Sequence, residues 1–182
     1  MCELIPKVDL PEMQRGPWKV ERFTVSDSQP LFRHRRLRPG TYTRLMRSGR
    51  GVIMSDTPAE MLDHMWFVRA ATGRVLIGGL GLGMCVGAVL AKADVTEVDV
   101  VEIDPDIIAM VGPHYSDPRV NIINADLMNY CPRGVRYNAV WCDIWGDVSA
   151  DDLPAMQKLN RRWGQKSDWH GCWGEDLVRR AA

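Results

Sequence analysis

Long apolar runs, a secretion signal and an excess of charge of one sign are all missing from this 182-residue sequence. No window approaches the roughly 18 uninterrupted apolar residues of a membrane-spanning helix. The N-terminus also lacks the charged-then-apolar pattern of a secretory signal. We therefore expect a protein with no membrane span that stays in the cytoplasm. Its length predicts one hydrophobic core with little room for a second.

Cysteine pairs are missing as well. The chain has five cysteines, and no two of them form a C-x-x-C motif; they are Cys2, Cys85, Cys131, Cys142 and Cys172. An odd number at irregular spacing predicts neither a disulfide framework nor a zinc or redox motif. His170 and Cys172 alone are too few for a metal site. We expect reduced thiols and no metal.

The charges balance at 23 basic and 23 acidic residues, but unevenly along the chain. Residues 1–50 hold 11 Lys+Arg against 5 Asp+Glu, whereas residues 94–152 hold 3 against 12. Segments of opposite sign attract one another within a fold. The basic stretch 33–38 has only Phe32 as a neighbouring aromatic platform, so we expect an acid-paired arm rather than a nucleic-acid site. A small molecule is the expected partner.

The first part of the chain indicates an arm, a hairpin and a helix start. Residues 1–40 are rich in proline and arginine, with weak alternation only in Trp18–Val25, which favours an extended arm over a packed core. The glycines around residues 48–51 predict a hairpin over residues 42–54. Thr57 followed by Pro58 and Glu60 predicts a capping box and a helix of about four turns. We place the domain boundary here, with an arm and β-hairpin in residues 1–56 and the main domain in residues 57–182.

From Arg74 onward, short apolar runs alternate with helical segments. Strands are predicted near residues 75–77, 95–103, 120–123 and 137–142, with helices over 84–93 and 105–111. Strands and helices at this spacing are typical of a parallel sheet with right-handed crossovers. The fold class predicted is therefore α/β, with a Rossmann-like parallel sheet.

A glycine-rich loop, IGGLGLGM at residues 77–84, joins the first of these strands to its helix. Tight turns can need glycine for steric reasons alone, and a fold that binds nothing remains an alternative. However, Glu102 follows Gly83 by 19 positions, at the end of the next strand, where a carboxylate can bind both hydroxyls of a ribose. The spacing G-x-G-x-G of Gly79, Gly81 and Gly83 departs from the dinucleotide pattern. It favours S-adenosylmethionine over NAD or FAD.

Two further carboxylates fall at strand ends, where ligands of open α/β sheets bind. Asp126 either accepts a hydrogen bond from an adenine amino group or caps an Asx turn. Asp143 either deprotonates or orients an attacking amine, or caps the following helix. Trp145 is placed to form the floor of a pocket beside Asp143, and Asp147 is a possible second carboxylate for substrate binding.

Residues 74–145 resemble the cofactor half of class I S-adenosylmethionine-dependent methyltransferases. The segments VVEIDPDII and DPRVNIINAD are most similar to the spermidine synthase (aminopropyltransferase) branch, which GRGVIMSDTPAEMLDH also resembles. The resemblance covers residues 49–147 and implies contacts from each predicted site residue. It assigns Gly79, Gly81 and Gly83 to the methionyl part, Glu102 to the ribose, Asp126 and Leu127 to the adenine, and Asp143 to catalysis or substrate orientation.

The sequence also departs from that branch. The glycine loop carries Leu80 and Leu82 instead of an acid, and Asp143 and Asp147 are one residue too far apart for the D-x-x-D pair. The family fold continues with three more strands, whereas only 35 residues follow Asp147 here. We expect a helix over residues 153–163 and a sheet incomplete on its C-terminal side. The open edge would be covered by the arm, by the Trp-rich segment 169–173, or by another subunit of a homo-oligomer.

Together, these features predict a transferase that uses S-adenosylmethionine to methylate a small amine or similar acceptor. The alternative enzyme is a spermidine synthase-like aminopropyltransferase that uses decarboxylated S-adenosylmethionine, with a polyamine pocket from Asp143, Asp147 and Asp56. A non-catalytic module that binds a nucleoside or a partner protein is the third hypothesis.

Overall fold

The N-terminal part of the chain forms antiparallel strands in the computed structural model, which describes residues 5–27, 29–30 and 36–181. They are β1 (Met13–Arg15), β2 (Trp18–Val25), β3 (Gln29–Pro30), β4 (Arg36–Leu37), β5 (Gly40–Arg47) and β6 (Gly51–Ser55). Four of them form one sheet in the order β1-β2-β5-β6, and β3 pairs with β4. The predicted hairpin is confirmed as β5 and β6. Cys2 and the basic residues 33–35 lie outside the described residues.

The expectation of an extended, unpacked arm is wrong. Alternation along β2 buries Trp18 and Val20, which share one apolar core with Leu45 of β5 and with residues of the main domain such as Phe67 and Val75. The weak pattern is sufficient because β2 pairs with β5, and these buried residues of the two strands form one apolar face. The proposed division at residues 56 and 57 falls between β6 and the first helix, and it stays a prediction.

The rest of the chain alternates helices and strands as predicted. In chain order these are α1 (Pro58–Ala70), β7 (Gly73–Gly78), α2 (Met84–Leu90), β8 (Val95–Glu102), α3 (Pro105–Val111), β9 (Val120–Asn124), β10 (Tyr137–Cys142), α4 (Leu153–Gly164), β11 (Ser167–Cys172) and α5 (Glu175–Ala181). Short 3₁₀ turns lie at Gly112–Tyr115 and Ala150–Asp152. None of the helices in the described part of the chain has the length and apolar character needed to cross a bilayer.

The five later strands form a parallel sheet in the order β11-β10-β7-β8-β9. This strand order is that of the Rossmann fold. The first strand, here β7, lies at the centre; β8 and β9 follow on one side of it, and β10 and β11 on the other. The predicted Rossmann-like α/β class is confirmed. Ligands of such sheets bind at the carboxyl ends of the strands where the order changes sides, which here are β7 and β10.

The C-terminal segment differs from the prediction, because the sheet has a fifth strand. β11 pairs in parallel with β10, with Cys172 opposite Cys142, and so covers the edge expected to be open. The Trp-rich segment is therefore the right choice among the three proposed covers. Its sequence, SDWHGC, does not predict a strand, because it has no β-branched residue and includes Gly171. The predicted homo-oligomer stays a prediction.

Two contacts join the N-terminal sheet to the strand ends of the main sheet. The indole N–H of Trp18 donates to Asp104 Oδ2 over 2.7 Å, and Arg15 Nε donates to Asp106 Oδ1 over 2.8 Å. Both carboxylates belong to the start of α3, where Asp104 also caps the helix as predicted. The hairpin of β5 and β6 is thereby held over the carboxyl ends of the main sheet.

Candidate active site

A cavity of about 560 Å³ lies at the carboxyl ends of the central strands. Such a volume is typical of a site for a nucleoside-sized ligand. Gly79 and Gly81 line it after β7, Glu102 after β8 and Asp143 after β10. Met54 of the hairpin forms part of the opposite wall. The structure thus brings the predicted site residues of three strands to one cavity.

Close packing within the protein explains the glycines of the loop. A Cβ atom at Gly79 would lie 2.1 Å from the carbonyl oxygen of Asp143, and one at Gly81 would lie 2.3 Å from Met54 Sδ. At Gly83 it would meet the ring of Tyr115 at 2.0 Å. The steric interpretation therefore applies to all three. Gly79 and Gly81 also face the cavity, whereas Gly83 is not among the residues that line it; contact of the three with a methionyl group stays a prediction.

Glu102 connects the loop to the end of β8. Its two carboxylate oxygens accept hydrogen bonds from the backbone N–H groups of Leu80 and Asp104, each over 2.8 Å. A carboxylate has about four acceptor positions, so these two bonds leave capacity for a pair of ribose hydroxyls. Because Glu102 also lines the cavity, the residues present fit the ribose of an adenosyl cofactor.

The part of the cavity where adenine contacts were expected differs in detail from the expectation. The Asp126 carboxylate accepts hydrogen bonds from Met128 N over 2.8 Å and from Asn129 Nδ2 over 2.7 Å, as in the alternative Asx turn. Leu127 is buried, with its side chain packed against Gly78. Both residues also line the cavity, and their contact with adenine stays a prediction. Sequence reasoning missed Ile103, whose side chain is 65% exposed and offers an apolar surface beside Glu102.

Asp143 occupies the other end of the cavity, next to a buried histidine. Its side chain is only 20% exposed, and its Oδ2 atom lies 3.9 Å from Nδ1 of His64. Burial, together with the negative charges of Glu60 and Asp63, raises the pKa of Asp143 to about 8. Burial lowers the pKa of His64 to about 4, so this imidazole is neutral at pH 7. Its Nδ1 accepts a hydrogen bond from the indole N–H of Trp141 over 3.2 Å.

Glu60 is a second carboxylate at this end of the cavity. The capping box predicted for it is wrong, because Glu60 Oε2 accepts from the backbone N–H and the hydroxyl of Ser55, over 2.7 and 2.5 Å, and not from Thr57. Burial raises the pKa of Glu60 to about 7, although the Ser55 bonds oppose the shift. The chain before α1 turns so that Ser55 lies nearer to Glu60 than the cap residue does.

The other acids proposed for a polyamine pocket lie elsewhere. Asp147 is exposed and is not among the residues that line the cavity, so its role in substrate binding stays a prediction. The Asp56 carboxylate is buried and accepts from the backbone N–H groups of Thr43 and Val8 over 2.6 and 3.2 Å, which is a structural role. Trp145 lines the cavity beside Asp143, and its role in substrate binding stays a prediction.

Sequence reasoning missed Glu60, His64 and Cys85, which all line the Asp143 end of the cavity. The sequence did contain a signal for Glu60 and His64, which is their spacing. Glu60 and His64 are four residues apart on α1, and residues at this spacing share one face of a helix. A half-buried acid and a buried histidine on the same face point to a site rather than to a cap.

The free energy of unfolding of the protein without ligands should fall as pH rises through the pKa values of Glu60 and Asp143. An acid whose folded-state pKa is raised stabilises the fold below its ordinary pKa, and this contribution is lost as pH rises through the raised value. For Glu60 and Asp143 the loss is completed near pH 7 and pH 8. His64 acts in the opposite direction only below its ordinary pKa of 6.5. Denaturant unfolding in a chelating buffer, from pH 6.5 upward, measures the effect.

Asp143→Asn provides the matched control for this titration. The variant has no charge to bury, so its advantage in free energy of unfolding over the wild type should grow as pH rises through about 8. Curves that remain parallel for the two proteins would show that Asp143 ionises as freely in the fold as in water.

No protein-family model matches this chain, and neither does any curated protein. Several solved structures do. A spermidine synthase from Thermotoga maritima is 18% identical over 85% of this chain and 53% of its own, with a TM-score of 0.47. The N-methyltransferase NodS from Bradyrhizobium japonicum WM9 is 13% identical over 62% of this chain and 64% of its own, with a TM-score of 0.49. The 23S rRNA methyltransferase ErmE is 20% identical over 54% and 39%, with a TM-score of 0.44.

By name, two of these three proteins are methyltransferases and one is a spermidine synthase. The chain spans between 39% and 64% of their lengths. Its own strand order and direction define the fold as the Rossmann-like type, and its functional interpretation depends on the cavity.

Proposed function

We propose that this chain binds S-adenosylmethionine and transfers its methyl group to a small amine. The observation that carries the proposal is one continuous cavity with two chemically different ends. One end offers Glu102, the glycine loop and the apolar Ile103. The other holds two half-buried carboxylates, Asp143 and Glu60. The first suits a nucleoside and the second a cation.

The acidic end favours a positively charged acceptor. Burial raises the pKa of both acids, Asp143 and Glu60. The negative charges of Glu60 and Asp63 also raise that of Asp143, and those of Asp63 and Asp56 also raise that of Glu60. An ammonium group placed between Asp143 and Glu60 would relieve this repulsion and would favour the ionised carboxylates. Buried charges in proteins are normally paired with an opposite charge. Two acids cannot form such a pair with each other, so an ammonium group would supply the missing partner.

The residues of this chain would act by binding, orientation and proton transfer. When bound, S-adenosylmethionine supplies a carbon made electrophilic by the adjacent sulfonium. Glu102 would hold the ribose hydroxyls and so position the cofactor in the cavity that Asp143 also lines. Asp143, ionised beside the acceptor ammonium, is suited to accept its proton, because the burial that raises the pKa of this acid makes it a stronger base than an exposed aspartate. Trp145 limits the size of the acceptor beside it.

Aminopropyl transfer is a second candidate, and the position of Glu60 favours it. A polyamine acceptor carries two ammonium groups, and Glu60 supplies the second half-buried acid that Asp147 was expected to provide. Leu80 and Leu82 oppose it, because the loop then offers no acid for the ammonium of decarboxylated S-adenosylmethionine. The third hypothesis, a binding module without catalysis, predicts nucleoside affinity without turnover.

Calorimetry with four ligands tests these proposals. We expect S-adenosylmethionine and S-adenosylhomocysteine to bind, and NAD not to bind. Tighter binding of decarboxylated S-adenosylmethionine would favour aminopropyl transfer. Asp143→Asn should keep the nucleoside affinity and lose the transfer of methyl groups to amines. If none of the four ligands binds, both enzymatic proposals are wrong.

Location and partners complete the proposal. Cys85, Cys131, Cys142 and Cys172 are free thiols, and free thiols persist in a reducing compartment. We therefore propose a cytoplasmic protein whose partner is a small molecule.

A further inference from the structure

Three side chains with metal-ligating atoms converge near the acidic end of the cavity. They are His64 on α1, Cys85 in the first turn of α2 and Asp143 after β10, and one ligand atom of each lies within 4.8 Å of the others. His64 and Cys85 are buried, and all three residues line the cavity. Three distant parts of the chain thus bring a nitrogen, a sulfur and an oxygen to one place.

We propose that His64, Cys85 and Asp143 bind a divalent transition-metal ion of the Zn²⁺ type, with a fourth coordination position open to the cavity. Zn²⁺ accepts imidazole, thiolate and carboxylate ligands, and its catalytic sites combine three protein ligands with one open position. Mg²⁺ and Ca²⁺ prefer oxygen ligands throughout, so the thiol and imidazole select against them. The expectation of no metal site considered only C-x-x-C pairs and the neighbours His170 and Cys172, because residues 64, 85 and 143 have no recognisable spacing.

The local geometry is close to that of a bound site. The hydrogen bond from Trp141 to Nδ1 of His64 fixes the tautomer in which this nitrogen carries no proton. The same Nδ1 atom lies 3.9 Å from Asp143 Oδ2. Bonds of about 2.0–2.3 Å separate tetrahedral ligand atoms by roughly 3.5 Å, so the cluster would contract by about 1 Å. A metal on Nδ1 would displace the hydrogen bond from Trp141, because this nitrogen has a single lone pair.

Charge and protons also balance. On binding, Cys85 releases its thiol proton and protonated Asp143 releases its carboxyl proton, both to solvent, so two negative ligands neutralise the divalent ion. The inference does not depend on nucleoside binding. It shares only Asp143 with the proposed function, and a metal ion and an acceptor ammonium would therefore compete for that side chain.

Titration of the full, metal-free chain with Co²⁺ under reducing conditions tests the site. We expect one equivalent to bind, with visible d–d bands of a tetrahedral site and a near-ultraviolet thiolate-to-cobalt band. Cys85→Ser should lose the thiolate band. His64→Gln and Asp143→Asn should weaken Zn²⁺ binding, measured by competition, at least about tenfold. Cys131→Ser is the matched control, because Cys131 is exposed and far along the chain, beside Lys166; it should keep the full spectrum.

The proposal is overturned if the folded wild type shows no thiolate band, or if the band survives in folded Cys85→Ser. If Cys85→Ser does not fold, the wild-type spectrum and the Zn²⁺ affinity of Asp143→Asn decide the matter. Calorimetry with S-adenosylhomocysteine separates the two proposals. A cobalt spectrum without nucleoside binding contradicts the proposed function alone, and nucleoside binding without the spectrum contradicts the metal site alone.

Discussion

Glu102→Ala is expected to weaken the binding of S-adenosylhomocysteine by about 30-fold or more, or about 2 kcal/mol. The substitution removes the acceptor for the ribose hydroxyls. It also leaves the backbone N–H groups of Leu80 and Asp104 without their partner. Two such losses cost about 2–4 kcal/mol in the free energy of unfolding. Calorimetry on the folded variant and denaturant unfolding measure the two effects.

Two further variants separate the ribose contact from general damage. Glu102→Gln keeps the size of the side chain but turns an amide N–H₂ towards one of the two backbone donors, so we expect an intermediate loss of stability. Glu97→Ala removes an exposed acid from the same strand, β8, where it pairs with Arg74. It should change stability by less than about 1 kcal/mol and leave nucleoside affinity unchanged. Equal nucleoside affinity in Glu102→Ala and wild type would show that the ribose binds elsewhere.

Gly79→Ala is expected to cost about 2–5 kcal/mol of the free energy of unfolding, a large share of the total for a domain of this size. The backbone at Gly79 has φ +94°, which alone costs a residue with a side chain about 1–2 kcal/mol. The new Cβ would also lie 2.1 Å from the carbonyl oxygen of Asp143. This oxygen is a backbone atom, so relief requires the ends of β7 and β10 to separate, with an overpacking cost of about 1–3 kcal/mol.

Gly49→Ala is the matched control, because Gly49 has φ +78° and no neighbouring atom within 4 Å of an added Cβ. The substitution should lower the free energy of unfolding only by the backbone strain of the positive φ, about 1 kcal/mol. Denaturant unfolding of both variants gives the comparison. Nucleoside affinity should fall with Gly79→Ala and not with Gly49→Ala, since only the first displaces the loop. Similar losses of stability in the two variants would contradict the packing described for the strand ends.

Local patterns predicted those parts of the fold in which one segment carries its own signal. The glycine loop, the run of β-branched residues in β8 and the Asp104 cap each depend on a few neighbouring residues, and each is confirmed. β2 and β11 were missed because their signals are weak locally. β2 depends on the apolar face of β5, and β11 is a strand chiefly because β10 offers it an edge.

In the candidate site, too, the residues with a local signal were predicted and those that depend on distant contacts were missed. Glu102 and Asp143 were found because strand ends are predictable from sequence, and the structure brings both to one cavity. Glu60 and His64 were missed because the motif around Thr57 also fits a helix cap. Cys85 was missed because its neighbours come from α1 and from the end of β10. Such contacts between distant segments leave no pattern of spacing in the chain.

A crystal structure of the full chain grown with S-adenosylhomocysteine tests the central claim most directly. The account predicts both ribose hydroxyls within hydrogen-bonding distance of Glu102, the adenine against Ile103, and the sulfur between the glycine loop and Asp143. A cavity that holds only solvent, at a ligand concentration that saturates binding in solution, would contradict it.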